Sequence, residues 1–272
     1  MNGNKIGYAL GDASSAYSGS YRYHEGNLNA VGIPITLEAG FGKPGVTRFR
    51  RHLALLDTGT VVIYDELEAT NAIPWTFQLN SPQTATKINE HTVVTSCSNG
   101  FAVAELFCNS PVATKLTDQF SGSYAAMLQK LTAKKDGDTE AMMSFENQWH
   151  ASITPTNALQ KTRFLTLIHR VQNGKPLVKS VESLSAAGRK VVSAGGWNIE
   201  AELDADKPSF IKIWNNDNTA ALVSGQAATS LQLGSTTHTP QLPGSTILLE
   251  EGRPAQEEVD VLPDMLRYGN IY

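Results

Sequence analysis

Short apolar segments separated by turn-forming residues run through most of the chain, and within each segment apolar and polar residues alternate. Successive side chains of an extended strand point to opposite faces, so a period of two marks a half-buried strand, whereas a helix repeats every three to four residues. The segments fall at 46–56, 60–67, 75–79, 91–97, 101–107 and 112–116, then at 163–171, 177–181, 190–192, 197–203, 210–214, 220–223, 230–233 and 246–250. With two more near Gly7 and Ile33, they predict about fifteen strands at the ~8–12-residue spacing of sandwiches. Asp57-Thr58-Gly59, Ser98-Asn99-Gly100, Asn173-Gly174 and Gly195-Gly196 stand between runs as turns. The expected fold class is all-β: one large antiparallel β-sandwich over residues 1–272, with at most one short helix. The one helical candidate is 124–134, where Leu128 and Leu131 lie three apart. The polar stretch 252–263 reads as a surface strap.

With 272 residues the chain is long enough to bury a core without a stapling metal or disulfide. Its 22 Lys and Arg against 26 Asp and Glu give a net charge of −4, and its longest basic runs are Arg50-Arg51 and Lys134-Lys135. A nucleic-acid partner is not expected, because phosphate binding calls for a basic surplus or cluster. No membrane span is expected either, since no apolar run approaches ~18 residues. Met1-Asn2-Gly3-Asn4-Lys5 lacks the apolar core of a signal peptide.

The two cysteines, Cys97 and Cys108, flank the Asn99-Gly100 turn. A two-residue loop there pairs Ser98 with Phe101 and Cys97 with Ala102. It leaves Cys108 opposite His91, ~20 Å along the strand from Cys97 at ~3.3 Å per residue. A disulfide needs Cα atoms within ~7 Å, so two free, buried thiols are expected. The histidines at 24, 52, 91, 150, 169 and 238 show no metal-ligand spacing, and neither metal nor cofactor is expected.

Three regions carry candidate chemistry. The run Tyr17-Ser18-Gly19-Ser20-Tyr21-Arg22-Tyr23-His24 is either an ordinary Tyr-rich loop or a carbohydrate surface. In the second case rings stack on sugar and Arg meets carboxylate or sulfate, while Tyr and His supply acid and base. The second region is Arg48-Phe49-Arg50-Arg51-His52-Leu53 with Val61-Val62-Ile63-Tyr64-Asp65-Glu66-Leu67. Pairing Asp57 with Thr60 sets His52 opposite Asp65 and Arg51 opposite Glu66. That is a cross-strand polar lock, or an Asp-oriented base, and the lock is favoured because no nucleophile accompanies it. The third is Asn147-Gln148-Trp149-His150, with Trp149 a buried sandwich residue or a sugar platform. No Gly-x-Ser-x-Gly, phosphate loop or dinucleotide fingerprint occurs.

Gly11-Asp12-Ala13-Ser14-Ser15-Ala16-Tyr17, the Arg-Arg-His hairpin with its Asp65-Glu66-Leu67, and Asn147-Gln148-Trp149-His150 with Arg163-Phe164-Leu165 together resemble the heparinase II/III-like polysaccharide lyases over residues 5–175. The resemblance implies an α/α toroid followed by an antiparallel β-sandwich, a periplasmic or secreted location, and cleavage of acidic polysaccharide by β-elimination. In that family a Tyr or His removes the C5 proton of a uronate. The toroid supplies much of the cleft, and His-x-His-x-x-Asp-like and His-Asn segments contribute zinc ligands. This chain contains neither segment and no helical toroid. The resemblance therefore implies the C-terminal sandwich portion of such a lyase, which supports a separate toroid, walls the cleft and is not catalytic alone. Tyr23, His24 and Arg51 are its candidate substrate contacts, and His52 with Asp65 its structural polar pair. The alternative is an independent carbohydrate-binding or structural β-sandwich.

Overall fold

The computed structural model describes residues 1–17, 32, 45–119, 148–175, 180–242 and 244–259. Among them the chain forms nineteen strands and one short 3-10 helix, Ser14–Tyr17. The strands are β1 (Ile6–Asp12), β2 (Val46–Leu56), β3 (Val61–Ile73), β4 (Phe77–Ser81), β5 (Ala85–Asn89), β6 (Thr92–Cys97) and β7 (Gly100–Phe107). β8 (Val112–Thr117), β9 (Trp149–Pro155), β10 (Leu159–Gln172), β11 (Val181–Leu184), β12 (Lys190–Ala194) and β13 (Trp197–Ala201) follow. β14 (Ile211–Asn215), β15 (Ala220–Ser224), β16 (Leu231–Leu233), β17 (Thr236–His238), β18 (Thr246–Glu250) and β19 (Gln256–Glu258) complete the series. The expected all-β antiparallel class is the one observed. The helical candidate at 124–134, Asn147, and the Tyr23 and His24 candidates lie outside the described residues.

Two seven-stranded sheets, ordered β1-β2-β3-β10-β7-β6-β5 and β11-β12-β13-β14-β15-β18-β19, face each other. Ile6, Tyr8, Ala54, Val62, Tyr64, Leu165 and Leu167 of the first pack with Val192, Trp197, Ile199, Ile213, Leu222 and Leu248 of the second. The reverse face of the first sheet is covered as well. Val46, Ile63, Leu67, Val93, Leu106 and Phe164 pack there against Phe77, Ala151 and Ile153 of a three-stranded sheet, β4-β9-β8. Behind the second sheet the β16-β17 hairpin sets Leu231 and Leu233 on Phe210, Val223, Ile247 and Leu249. Strands at the middle of this stack are apolar on both faces, which is why β15 and β18 are buried at every residue and β3 and β10 over their central stretches. Trp197 is 2% exposed, a burial worth on the order of 3 kcal/mol. β1 is tied down by Glu250, whose carboxylate accepts from the backbone N–H groups of Asn4 at 2.8 Å, Lys5 at 2.7 Å and Ile6 at 3.2 Å.

Two expected registers are corrected. The β2–β3 connection is a three-residue loop rather than two: Leu56 donates to Thr60, and Gly59 adopts φ +79°. The whole pairing moves by one residue, which puts Asp65 opposite Arg51 and Tyr64 opposite His52. A one-residue slip exchanges the two faces of a strand, so His52 and Asp65 lie on opposite faces and do not pair. In the β6–β7 hairpin the loop residues are Ser98 and Asn99, and Cys97 pairs with Gly100, two residues away from expectation. Gly100 is a strand residue because β10 passes so close that a Cβ would run into the Val171 carbonyl. Both cysteines are free, as expected, but Cys97 is exposed and Cys108 half-buried rather than both enclosed. Gly195-Gly196 forms the anticipated tight turn, with Ala194 opposite Trp197 and φ of +59° and +85° at the two glycines.

Candidate functional site

The Arg-Arg-His hairpin is the most chemically loaded part of the described chain, and its two faces do different things. On the face toward the second seven-stranded sheet, β2 carries His52 beside Ala54 and Leu56, and β3 carries Glu66 beside Tyr64. His52 Nε2 lies 2.9 Å from Glu66 Oε1. Its Nδ1 lies 2.8 Å from the Tyr8 hydroxyl and 3.3 Å from Ser224 Oγ. Nε2–H donates to the Glu66 carboxylate, and Nδ1 shares a hydrogen bond with the Tyr8 hydroxyl. The Thr246 hydroxyl donates to Ser224 Oγ at 2.8 Å. The chain of groups thus crosses from β2 and β3 to β15 and β18 of the facing sheet. His52 and Glu66 are 1% exposed, and Ser224 and Thr246 fully enclosed.

Burial alone would raise the Glu66 carboxyl. The hydrogen bond from His52 and the positive charge of His52, Arg50 and Arg48 outweigh it and hold Glu66 down at about 2. Arg48 Nη1 donates to Glu66 Oε2 at 3.1 Å. Hydroxyl, imidazole and carboxylate in series are the parts of an acyl-transfer triad. Here the Ser224 and Thr246 hydroxyls are fully enclosed, with no room for a substrate carbonyl beside them, so the arrangement acts as a polar bolt between the sheets. Tyr64 adds a second tie across the same gap: its hydroxyl donates to the Glu202 carbonyl at 2.8 Å, and burial pushes it well above the ordinary tyrosine range.

On the opposite face Arg51 grips Asp65 with two parallel bonds, Nε to Oδ1 at 2.6 Å and Nη2 to Oδ2 at 2.9 Å. The guanidinium carbon is 5.6 Å from the centroid of the Phe77 ring. Burial pushes the Asp65 carboxyl up against the pull of Arg51. Arg51, expected as a substrate contact, is thus bound to a buried carboxylate. Trp149 is partly buried against the second core, with its neighbour His150 Nδ1 2.9 Å from Asn80 Oδ1.

A cleft of about 300 Å³ opens where β2, β3 and β10 meet the 203–208 loop. Glu66 and Arg163 lie on its inner side, and Arg48, Glu68, Lys161, Asp206 and Lys207 around its mouth. Arg163, 4% exposed, donates to the carbonyls of Glu202, Asp204 and Lys207 and so fixes the loop that forms one wall. Lys161 meets Asp206 at 2.7 Å, an exposed pair in which the hydrogen bond lowers the pKa of the carboxyl and raises that of the lysine. Sequence reasoning did not find this cleft, nor the parts of the bolt supplied by Tyr8, Ser224 and Thr246. The available signals were Asp65-Glu66 and Arg163, charges set inside otherwise apolar strand runs.

Among the described residues no group of three or more His, Cys, Asp and Glu is placed to hold a metal, and no helix is long and apolar enough to cross a membrane. No protein-family model matches the chain, and no curated protein matches it.

Proposed function

We propose that this chain is the β-sandwich portion of a heparinase II/III-like polysaccharide lyase, secreted or periplasmic, which buttresses an α/α toroid and walls a cleft for acidic polysaccharide without performing the elimination itself. The observation that carries the reading is the internal pairing of the arginines, the histidine and the two buried carboxylates of the hairpin. Arg51 is held by Asp65, His52 and Arg48 by Glu66, and Arg50 Nε lies 3.6 Å from Asp12. Groups committed in this way stiffen a wall, and they are not available as the base and acid that β-elimination needs beside one bound sugar.

Two further features support it. Three of the segments that carry the resemblance are neighbours in space: Ala13 N–H donates to the Phe49 carbonyl at 2.8 Å, Phe49 N–H donates to Ser14 Oγ at 2.9 Å, and β10 runs beside β3 with Arg163 opposite Glu66. In addition, β1 is an edge strand among the described residues, and beside it Leu53 and Leu55 of β2 are 42% and 56% exposed. An apolar strip at a sheet margin suits a docked domain.

The alternative reading, an independent carbohydrate-binding module, is favoured by one observation, the polar cleft contained wholly within this chain. The test is to incubate the purified chain with heparan sulfate, alginate and hyaluronan while following the ultraviolet absorbance of the unsaturated product and, separately, binding by calorimetry. Binding without absorbance gain is the expected result. Rising absorbance overturns the non-catalytic role, and absence of binding to every acidic polysaccharide overturns the polysaccharide assignment.

A further inference from the structure

The cleft beside β10 has three properties that together select a ligand. First, its loop wall is already rigid. Arg163 holds three of its carbonyls, Asp206 N–H donates to Asp204 Oδ1 at 3.0 Å, and Lys207 N–H donates to the Asp204 carbonyl at 3.2 Å. A ligand entering it orders little, which removes one of the main costs of association. Second, its lining offers both hydrogen-bonding senses. Arg48, Lys161, Lys207 and Gln226 donate, Glu68 and Asp206 accept, and Leu67 and Pro208 supply apolar surface. Sugar hydroxyls donate and accept, and sugar rings carry C–H faces, so such a mixture suits a polyhydroxylated ligand. Third, the chain carries −4 overall, yet four cationic side chains line this cleft against three carboxylates.

The rim cations are exchangeable as well. Lys161 is paired to Asp206, whose side chain is 81% exposed, and Lys207, itself 54% exposed, is held only at 3.6 Å by Asp204 and 3.9 Å by Glu202. Exposed pairs of this kind contribute little and part readily.

We propose that this cleft is a subsite for one anionic sugar unit, with Lys161 and Lys207 meeting its carboxylate or sulfate after Asp206 swings away. This rests on the polysaccharide reading above and locates its point of contact. The volume of about 300 Å³ is at the lower end of small-molecule sites, which fits a single unit of a longer chain.

Calorimetry on the full chain tests the proposal with three probes: a hyaluronan-derived oligosaccharide for carboxylate alone, a heparin-derived one for sulfate with carboxylate, and a cellulose-derived neutral one. Anionic probes are expected to bind and the neutral one not to, and the stronger of the two anionic probes identifies the charged group recognised. Lys161→Ala/Lys207→Ala should weaken binding about tenfold. Asp206→Asn should tighten it about two- to fivefold, because it removes the internal competitor for Lys161. The opposite signs of the two variants separate a site effect from a folding effect, and both should keep the parent's thermal midpoint. Neutral and anionic probes binding equally, or variants that leave the parent's affinity unchanged, would overturn the subsite while the scaffold reading stands. A parent chain that binds no acidic polysaccharide would overturn both.

Discussion

Acid should loosen the joint between the two large sheets through Glu66. Its carboxyl is depressed from an ordinary 4.5 to about 2 by His52 and the two arginines. A depressed carboxyl stabilises the fold above its unfolded pKa, and that contribution disappears as pH falls through the folded value. The window therefore runs from about 4.5 down to about 2. At about 1.4 kcal/mol per pH unit the full effect is ~3 kcal/mol, and the side chain is 1% exposed, so solvent screening removes little of it. The perturbation is Glu66→Gln, which keeps the shape and abolishes the titration. Urea unfolding of parent and variant should be followed at several pH values between about 6 and about 2, with free energies extrapolated linearly. The parent's advantage should be largest near neutrality and shrink by ~3 kcal/mol across the window. Taking the difference cancels other carboxylates, including Asp65, whose pKa moves upward. A difference that stays constant over the whole range would refute the argument that Glu66 is held ionised by its neighbours.

Three other outcomes are expected. Gly100→Ala should destabilise the fold by about 2 kcal/mol or more, because the added methyl meets the β10 backbone and the residue's φ is +151°; an unchanged denaturant midpoint would mean that β10 does not approach there. Arg163→Met should cost about 3 kcal/mol by leaving the carbonyls of Glu202, Asp204 and Lys207 without their donor, and parent-like protease resistance of the 203–208 loop would count against it. Thiol titration should find two free groups in the denatured, unreduced chain. In the native chain Cys97 should react well before Cys108, whose thiol burial pushes up; equal native rates would contradict the exposure of the two.

The sheet content was legible because period-two alternation and Gly-rich turns are local signals, and Gly195-Gly196 formed the turn its residues demand. Register was not, because it depends on loop geometry that a few turn residues leave open. Asp57-Thr58-Gly59 marked the bend correctly, but accommodating Gly59 at positive φ lengthened the loop by one residue and exchanged the partners of Arg51 and His52. Asn99-Gly100 misled for another reason. Its glycine answers to a neighbour about seventy residues on, the β10 backbone at Val171, and not to the hairpin it adjoins. The bolt was out of reach in the same way. Ser224 and Thr246 meet His52 and Tyr8 only after the second sheet has closed over the first, and nothing in a stretch such as Ala220–Ser224 announces a hydroxyl with a partner 172 residues away.

The first sheet serves two cores at once, with Tyr64 facing one and Ile63, its neighbour in the chain, facing the other. This makes the molecule hard to shorten. A fragment ending before β11 would keep the three-stranded cover on one side but lay bare Tyr8, Val62, Tyr64, Leu165 and Leu167 on the other, and a fragment starting at β11 would expose Trp197, Ile199 and Ile213. Either piece would present a broad sticky face and be expected to aggregate. Useful cuts for expression or crystallisation therefore belong in the connections around the stack, and any attempt to graft one half onto another protein must bring a replacement for the lost wall.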